Sequence, residues 1–209
     1  MELVDLSQTR TSLHAVAELL LAGPQYDTCG DIRLRVTPGG IATVGRPDLR
    51  LVGSELVGPT GRQPLAGTYA EAAAALGVTP RRLGDVYADT VDVDLDDEIR
   101  ADPEHVGVLL DAFARGDAGL RAFAQSEEPV LWPEHFDIGI SVGEVNYGVS
   151  PGDAMILEPY AYVGPWTRRQ GEFWNHDFGA ARPLDEVDDL AAFFAEGAER
   201  ARTDRPTPS

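Results

Sequence analysis

Near the amino end apolar residues recur at helical spacing, Leu13, Val16, Ala17, Leu20 and Leu21, before the helix breakers Gly23-Pro24. This predicts a first helix over about Ser12 to Ala22. Ile32, Leu34 and Val36 then alternate with Arg33 and Arg35, the period of a half-buried strand. Thr37-Pro38-Gly39-Gly40 turns the chain into Ile41 to Val44, and Leu49 to Val52 reads as a further strand of a meander. Thr68-x-x-Glu71 is a capping box opening the alanine-rich helix Tyr69 to Leu76, which Gly77 closes. Val91, Val93 and Leu95 alternate with Asp92, Asp94 and Asp96, which predicts an edge strand. Asp102-Pro103 starts a helix running to Gly116, with a second piece from Asp117 to Ala124. A β-rich stretch, Val130 to Trp166, leads to a last helix of about Asp185 to Arg202. The Pro/Thr-rich tail, Thr203 to Ser209, is expected to be disordered. The fold class these elements predict is α+β: antiparallel strands with flanking helices, in one domain over residues 1–202.

The sharpest local pattern lies between Asp137 and Ser150. If Gly143-Glu144 is a two-residue hairpin turn, of type II′ with glycine first, then Val142 faces Val145, Ile140 faces Tyr147 and Ile138 faces Val149. The other face pairs Ser141 with Asn146, Gly139 with Gly148 and Asp137 with Ser150. A slip of one residue destroys this sorting. Two opposed glycines leave a gap in the polar face. Such a gap admits either a ligand or a packed side chain or helix.

Read as a ligand site, the gap is ringed by Asp137, Ser141 and Asn146, with His135 at the strand entrance. Ser150-Pro-Gly-Asp153 is a turn that swings Asp153 to the same mouth, and Tyr160 and Tyr162 form aromatic walls. Asp137 would be the acid–base or ligand-polarising group, with His135 its neighbour. Trp174, in the glycine-flanked stretch Gly171 to Gly179, is either a lid or the anchor of a pinned loop. A divalent metal would have to be held by His135, Asp137 and Asp153, with Glu158 or His176 as further donors; no established ligand spacing supports the set. Ser141 or Ser150 with His135 and Asp137 lacks the strained elbow of a serine hydrolase. His14 and His105 fall on helices, where a satisfied or surface histidine is the simpler reading. Asp92-x-Asp94-x-Asp96 imitates a calcium loop, but Asp97 stands where glycine is needed and Pro103 where glutamate is needed.

Charge narrows the partners. The chain has 209 residues, 17 basic against 35 acidic, and a net charge of −18. That balance argues against nucleic acid and against anionic membranes. Nine acids crowd the stretch from Asp85 to Glu104, against Arg100 alone; they read as a solvated face. All basic residues are arginine, which removes lysine Schiff-base and P-loop chemistry. Cys29 is alone, so no internal disulfide forms. The acidic start, Met1-Glu2-Leu3-Val4-Asp5, is unlike a signal peptide, and Ala15 to Ala22, interrupted by Glu18, is too short to span a bilayer. A cytoplasmic location is the expectation.

Four stretches, Trp132-Pro-Glu-His-Phe-Asp137, Asn146-Tyr-Gly-Val-Ser-Pro-Gly-Asp153, Glu158-Pro-Tyr-Ala-Tyr-Val-Gly-Pro-Trp166 and Phe173-Trp-Asn with Phe178-Gly-Ala180, resemble a protein family of high-GC bacteria. The likeness extends over most of the chain, but the family lends no activity, cofactor or catalytic residue. The sequence therefore supports three function classes. They are a small-molecule-binding protein or enzyme with its pocket at the 135–153 hairpin, an acidic interaction module using exposed aromatics on an arginine-rich protein, and a metal-dependent hydrolase. Cofactor and oligomeric state are not specified by these residues.

Overall fold

Helix α1 (Leu6–Ala15) opens at Asp5, whose carboxylate accepts the Gln8 N–H at 2.7 Å. In this computed structural model, which describes residues 5–207, α1 passes without a break into a π-helical stretch, Val16–Ala22, and then into α2 (Gly23–Cys29). The first four residues of the acidic amino end lie outside the described residues. Gly23-Pro24 is thus a change of winding and not the expected stop. Proline lacks an N–H, and its ring presses on the carbonyl four residues back. Winding with i→i+5 bonds shifts the carbonyl pattern by one residue, and the Gly23 N–H reaches the Glu18 carbonyl. The helix ends at Gly30, in the left-handed region at φ 69°.

The chain gathers into two compact units, residues 1–114 with 131–136 and residues 115–130 with 137–209. The fold is α+β, and within each unit the strands, among the described residues, run antiparallel to their neighbours.

In the first unit the strand order is β6-β1-β2-β3-β4-β5. Here β1 is Leu34–Thr37, β2 Gly40–Thr43, β3 Arg50–Val52, β4 Glu55–Gly58, β5 Gly61–Pro64 and β6 Val130–Trp132. The meander expected from Ile32 to Val52 is present, with Val36 opposite Ile41 and Ile41 opposite Leu51. Strands β4 and β5 were not legible, because Gly61-Arg-Gln-Pro64 shows no alternation of apolar and polar residues. Helix α3 (Tyr69–Leu76) carries the expected capping box in full, Thr68 Oγ1 accepting the Glu71 N–H and Glu71 accepting the Thr68 N–H. Gln25 is fully buried, with both ends of its amide hydrogen-bonded. Its Nε2 donates to the Asp31 and Arg33 carbonyls at 2.7 and 2.9 Å, and its Oε1 accepts the Gly45 N–H at 2.6 Å.

The acid-rich segment corrects the sequence reading. Residues 91–95 form no strand, although Val91 is buried and Asp92, Asp94 and Asp96 are exposed as the alternation requires. Their hydrogen-bond partners are not a neighbouring strand but the Glu18 carboxylate of the first helix, the Ala70 N–H of α3 and the side chains of Arg82 and Asp97, a set that local periodicity cannot encode.

Helix α4 (Pro103–Phe123) is one continuous helix, and the division between the units falls within it, after Ala114. Gly116 does not break it as expected. In the second unit a Cβ at Gly116 would lie 2.7 Å from Ile138 and 2.9 Å from Val149, so the glycine permits close helix–sheet contact. That sheet has the order β10-β9-β8-β7, with β7 Asp137–Val142, β8 Val145–Ser150, β9 Tyr160–Pro165 and β10 Ala180–Pro183. Helix α5 (Leu190–Thr203) packs on its inner face, where Gly197 meets Val163 and Phe194 meets Phe123 and Tyr147. Residues after α5 make backbone hydrogen bonds with residues 168–170. The Arg205 carbonyl accepts the Gln170 N–H at 2.9 Å, and the Thr207 N–H donates to the Arg168 carbonyl at 2.8 Å. Pro208 and Ser209 lie outside the described residues.

Candidate functional site

The hairpin forms in the expected register: Ile138 opposite Val149, Gly139 opposite Gly148, Ile140 opposite Tyr147, Ser141 opposite Asn146 and Val142 opposite Val145. Its turn differs. Both Gly143 (φ 59°) and Glu144 (φ 63°) are left-handed, which makes it type I′ and not II′. The twist of type I′ fits the strands well enough to hold a glutamate in a conformation that side chains disfavour.

The polar face carries two tyrosine–carboxylate pairs. Tyr162, on β9 opposite Gly148, lays its ring across the glycine pair; a Cβ at Gly148 would lie 2.5 Å from that ring, and one at Gly139 3.0 Å from the Tyr162 hydroxyl. The hydroxyl donates to Oδ2 of the buried Asp137. Two residues earlier, Tyr160 donates to Asp153 Oδ2 at 2.7 Å. The other Asp153 oxygen accepts the Met155 and Ile156 N–H groups at 2.6 and 2.8 Å. Burial first, then the neighbouring carboxylates, pushes both tyrosine hydroxyls well above their ordinary pKa. Each therefore stays protonated, and each is a donor to its aspartate near neutral pH. Phe178 follows in the aromatic row, 6.4 Å from Tyr160 and stacked on His176 at 5.2 Å.

At the hairpin end, Ser141 Oγ and Trp166 Nε1 both donate to Asn146 Oδ1, at 2.8 and 3.1 Å. Trp166 is held further by its own N–H to the Glu144 carbonyl, yet the side chain is 67% exposed. Ser141, Asn146, Tyr160, Tyr162, Asp137 and Asp153 thus share the second unit's sheet and the turn that follows β8. His135 belongs to the first unit, where it is exposed and 4.0 Å from Asp89. Trp174 anchors its loop: its Nε1 donates to Asp204 at 2.9 Å, and it packs edge-on against Phe173. In the same loop Asn175 bonds both the N–H and the C=O of Ala181 on β10. Among the described residues no three His, Cys, Asp or Glu side chains come together as a metal site. No helix among them is long and apolar enough to cross a membrane.

Sequence reasoning missed a polar row buried in the first unit. Glu18, with no exposed surface, accepts the Leu83 N–H at 3.1 Å and the Val91 N–H at 3.0 Å, one on each oxygen. Ser12 Oγ accepts the Arg100 N–H and Thr9 Oγ1 the Asp102 N–H. The signal was present: one acid inside Val16-Ala-Glu-Leu-Leu-Leu-Ala22 needs buried partners. Tyr87 is buried close by, and burial followed by the Glu18 and Glu134 charges raises its pKa. His14 is a satisfied histidine, its Nε2 2.7 Å from the Pro133 carbonyl and its ring stacked on Phe136.

No protein-family model, no curated protein and no solved structure matches the chain.

Proposed function

We propose that this protein is an acidic interaction module that docks on a cationic, arginine-rich protein. One observation carries the reading: the acid-rich segment presents its carboxylates outward while its backbone is tied inward, at Val91 by the buried Glu18 and at Arg100 and Asp102 by the buried Ser12 and Thr9. Asp85, Asp89, Asp92, Asp94, Asp96, Asp97 and Glu98 are all exposed, while Leu83, Tyr87, Val91 and Ile99 between and beside them are buried. Fixed charges of one sign steer an oppositely charged partner and set its orientation. In the same unit the exposed Trp132 supplies the kind of side chain that anchors protein interfaces.

The test is a titration with a fluorescent nona-arginine peptide at low and high salt. Binding weakens with salt, and Asp92→Asn/Asp94→Asn/Asp96→Asn weakens it about tenfold. Glu172→Gln/Glu196→Gln/Glu199→Gln removes equal charge elsewhere and has a smaller effect. Equal losses from the two triple variants would reduce the interaction to net charge and sink the reading.

A small-molecule site at the hairpin face is the second reading, supported by the Tyr162–Asp137 and Tyr160–Asp153 pairs. Against it, the Tyr162 ring occupies the space between the glycines. A thermal-shift screen over sugars, nucleotides and acyl metabolites, with Asp137→Ala alongside, tests it; a shift lost in the variant favours this reading.

A further inference from the structure

We infer that residues 81–102 form a strap that opens and closes as one unit over the first helix, with Glu18 as its latch. The strap belongs to the free protein and does not depend on the proposed partner.

The strap has no ladder or helix of its own. Its backbone is instead matched to the first helix, in reverse order along it. The Arg81 N–H donates to the Leu19 carbonyl at 3.1 Å, Leu83 and Val91 to the two Glu18 oxygens, Arg100 to Ser12 and Asp102 to Thr9. All three anchoring side chains are buried. Gly23 belongs to the same rail, because a Cβ there would overlap the Arg81 carbonyl oxygen. Its middle is tied to the start of α3, where Ala70 N–H donates to the Leu95 carbonyl and Ile99 N–H to the Gly67 carbonyl, at 2.9 and 2.8 Å. Arg82 braces it internally by donating to the Val91 and Val93 carbonyls.

Two features make it a unit and not a set of independent ties. Glu18 holds positions 83 and 91 with one carboxylate, so they are released together. Opening also uncovers the apolar residues Leu83, Tyr87, Val91 and Ile99, all buried when the strap is closed. Partial opening would bare this surface while leaving buried amides unpaired. Opposing closure is the mutual repulsion of the exposed acids, which Arg81, at Asp85, and Arg82, 4.0 Å from Asp94, offset in part. Segments built from few regular hydrogen bonds belong to the least stable end of a fold.

Native-state amide hydrogen exchange of the full chain tests this. In Glu18→Ala, the amides of Leu83, Val91, Ile99, Arg100 and Asp102 accelerate together, on the order of 100-fold, while Ile41 and Ala42 on β2 keep their protection. Glu18→Gln retains one acceptor oxygen and falls between. Ser12→Ala, at the far end, accelerates Leu83 and Val91 as well as Arg100, and it serves if Glu18→Ala does not fold. Raising salt slows exchange across the whole strap by screening its acids. Acceleration confined to the amide whose acceptor is removed overturns the inference, as does equal acceleration of the β2 amides.

Discussion

The Tyr162 hydroxyl donates to Asp137 while the Tyr162 ring covers the backbone at Gly148, so one side chain both fills the gap between the glycines and engages the carboxylate beside it. The glycine pair is thereby explained by packing. A larger residue at Gly148 has to displace both that ring and the Ile138 carbonyl across the strand pair.

Gly148→Ala is therefore expected to destabilise the protein by about 2–3 kcal/mol, and Gly148→Val by more. Gly139→Ala costs less, because its Cβ meets only the Tyr147 carbonyl and the tyrosine hydroxyl, each at 3.0 Å. Urea denaturation of the three variants gives the order. A valine at Gly148 disturbs the sheet itself and is a poor probe of ligand binding.

Glu144→Gly should stabilise the hairpin. Glutamate at φ 63° carries the left-handed cost that glycine avoids, about 1 kcal/mol after allowing for the greater freedom of glycine in the unfolded chain. A rise in the urea midpoint with an unchanged slope is the expected result.

Acid weakens the fold through His14. Burial lowers its pKa from 6.5, outweighing the Pro133 carbonyl, which acts in the other direction. The unfolded chain then binds the proton more readily than the folded one. This contribution to stability is present in full above pH 6.5 and is lost as pH falls from there through the depressed folded value. His14→Phe keeps a ring against Phe136 and should flatten the dependence of unfolding free energy on pH as pH falls below 6.5.

Alkali acts through the tyrosines. Tyr69, Tyr87, Tyr147, Tyr160 and Tyr162 all have pKa values raised, chiefly by burial, and Tyr147 is pushed up to about 12. A raised folded pKa means that the stabilisation is complete below the unfolded value of 10 and lost as pH climbs beyond it. Absorbance at the tyrosinate band should accordingly rise together with loss of circular dichroism, in one cooperative step above pH 10. Tyrosinate appearing at these positions in a still-folded protein would contradict the assignment.

What the sequence revealed follows from where each constraint resides. The Ile138–Val149 and Val142–Val145 pairs are fixed by period-two sorting about a tight turn, and the Thr68–Glu71 capping box by residues three apart. Both are local. The strap depends on Glu18, Ser12 and Thr9 meeting amides 65 to 93 positions away, which no window of the sequence displays. The same holds for Tyr162, which its alternation with Tyr160 places in an aromatic wall. That alternation gives the correct face of β9, but whether the ring lines a cavity or fills it depends on the neighbouring strand. His135 and Asp137 are two residues apart in sequence, but one is exposed and the other buried.

Asn175 gives the edge of β10 a particular property. Its amide donates to the Ala181 carbonyl and accepts from the Ala181 N–H, the two bonds that an incoming strand would make at that residue. A single side chain acts there as a blank terminus for the sheet. Chains meeting along β10 find those groups already paired, so a protein carrying asparagine here resists ladder-type polymerisation at that edge even where crowding brings many copies together.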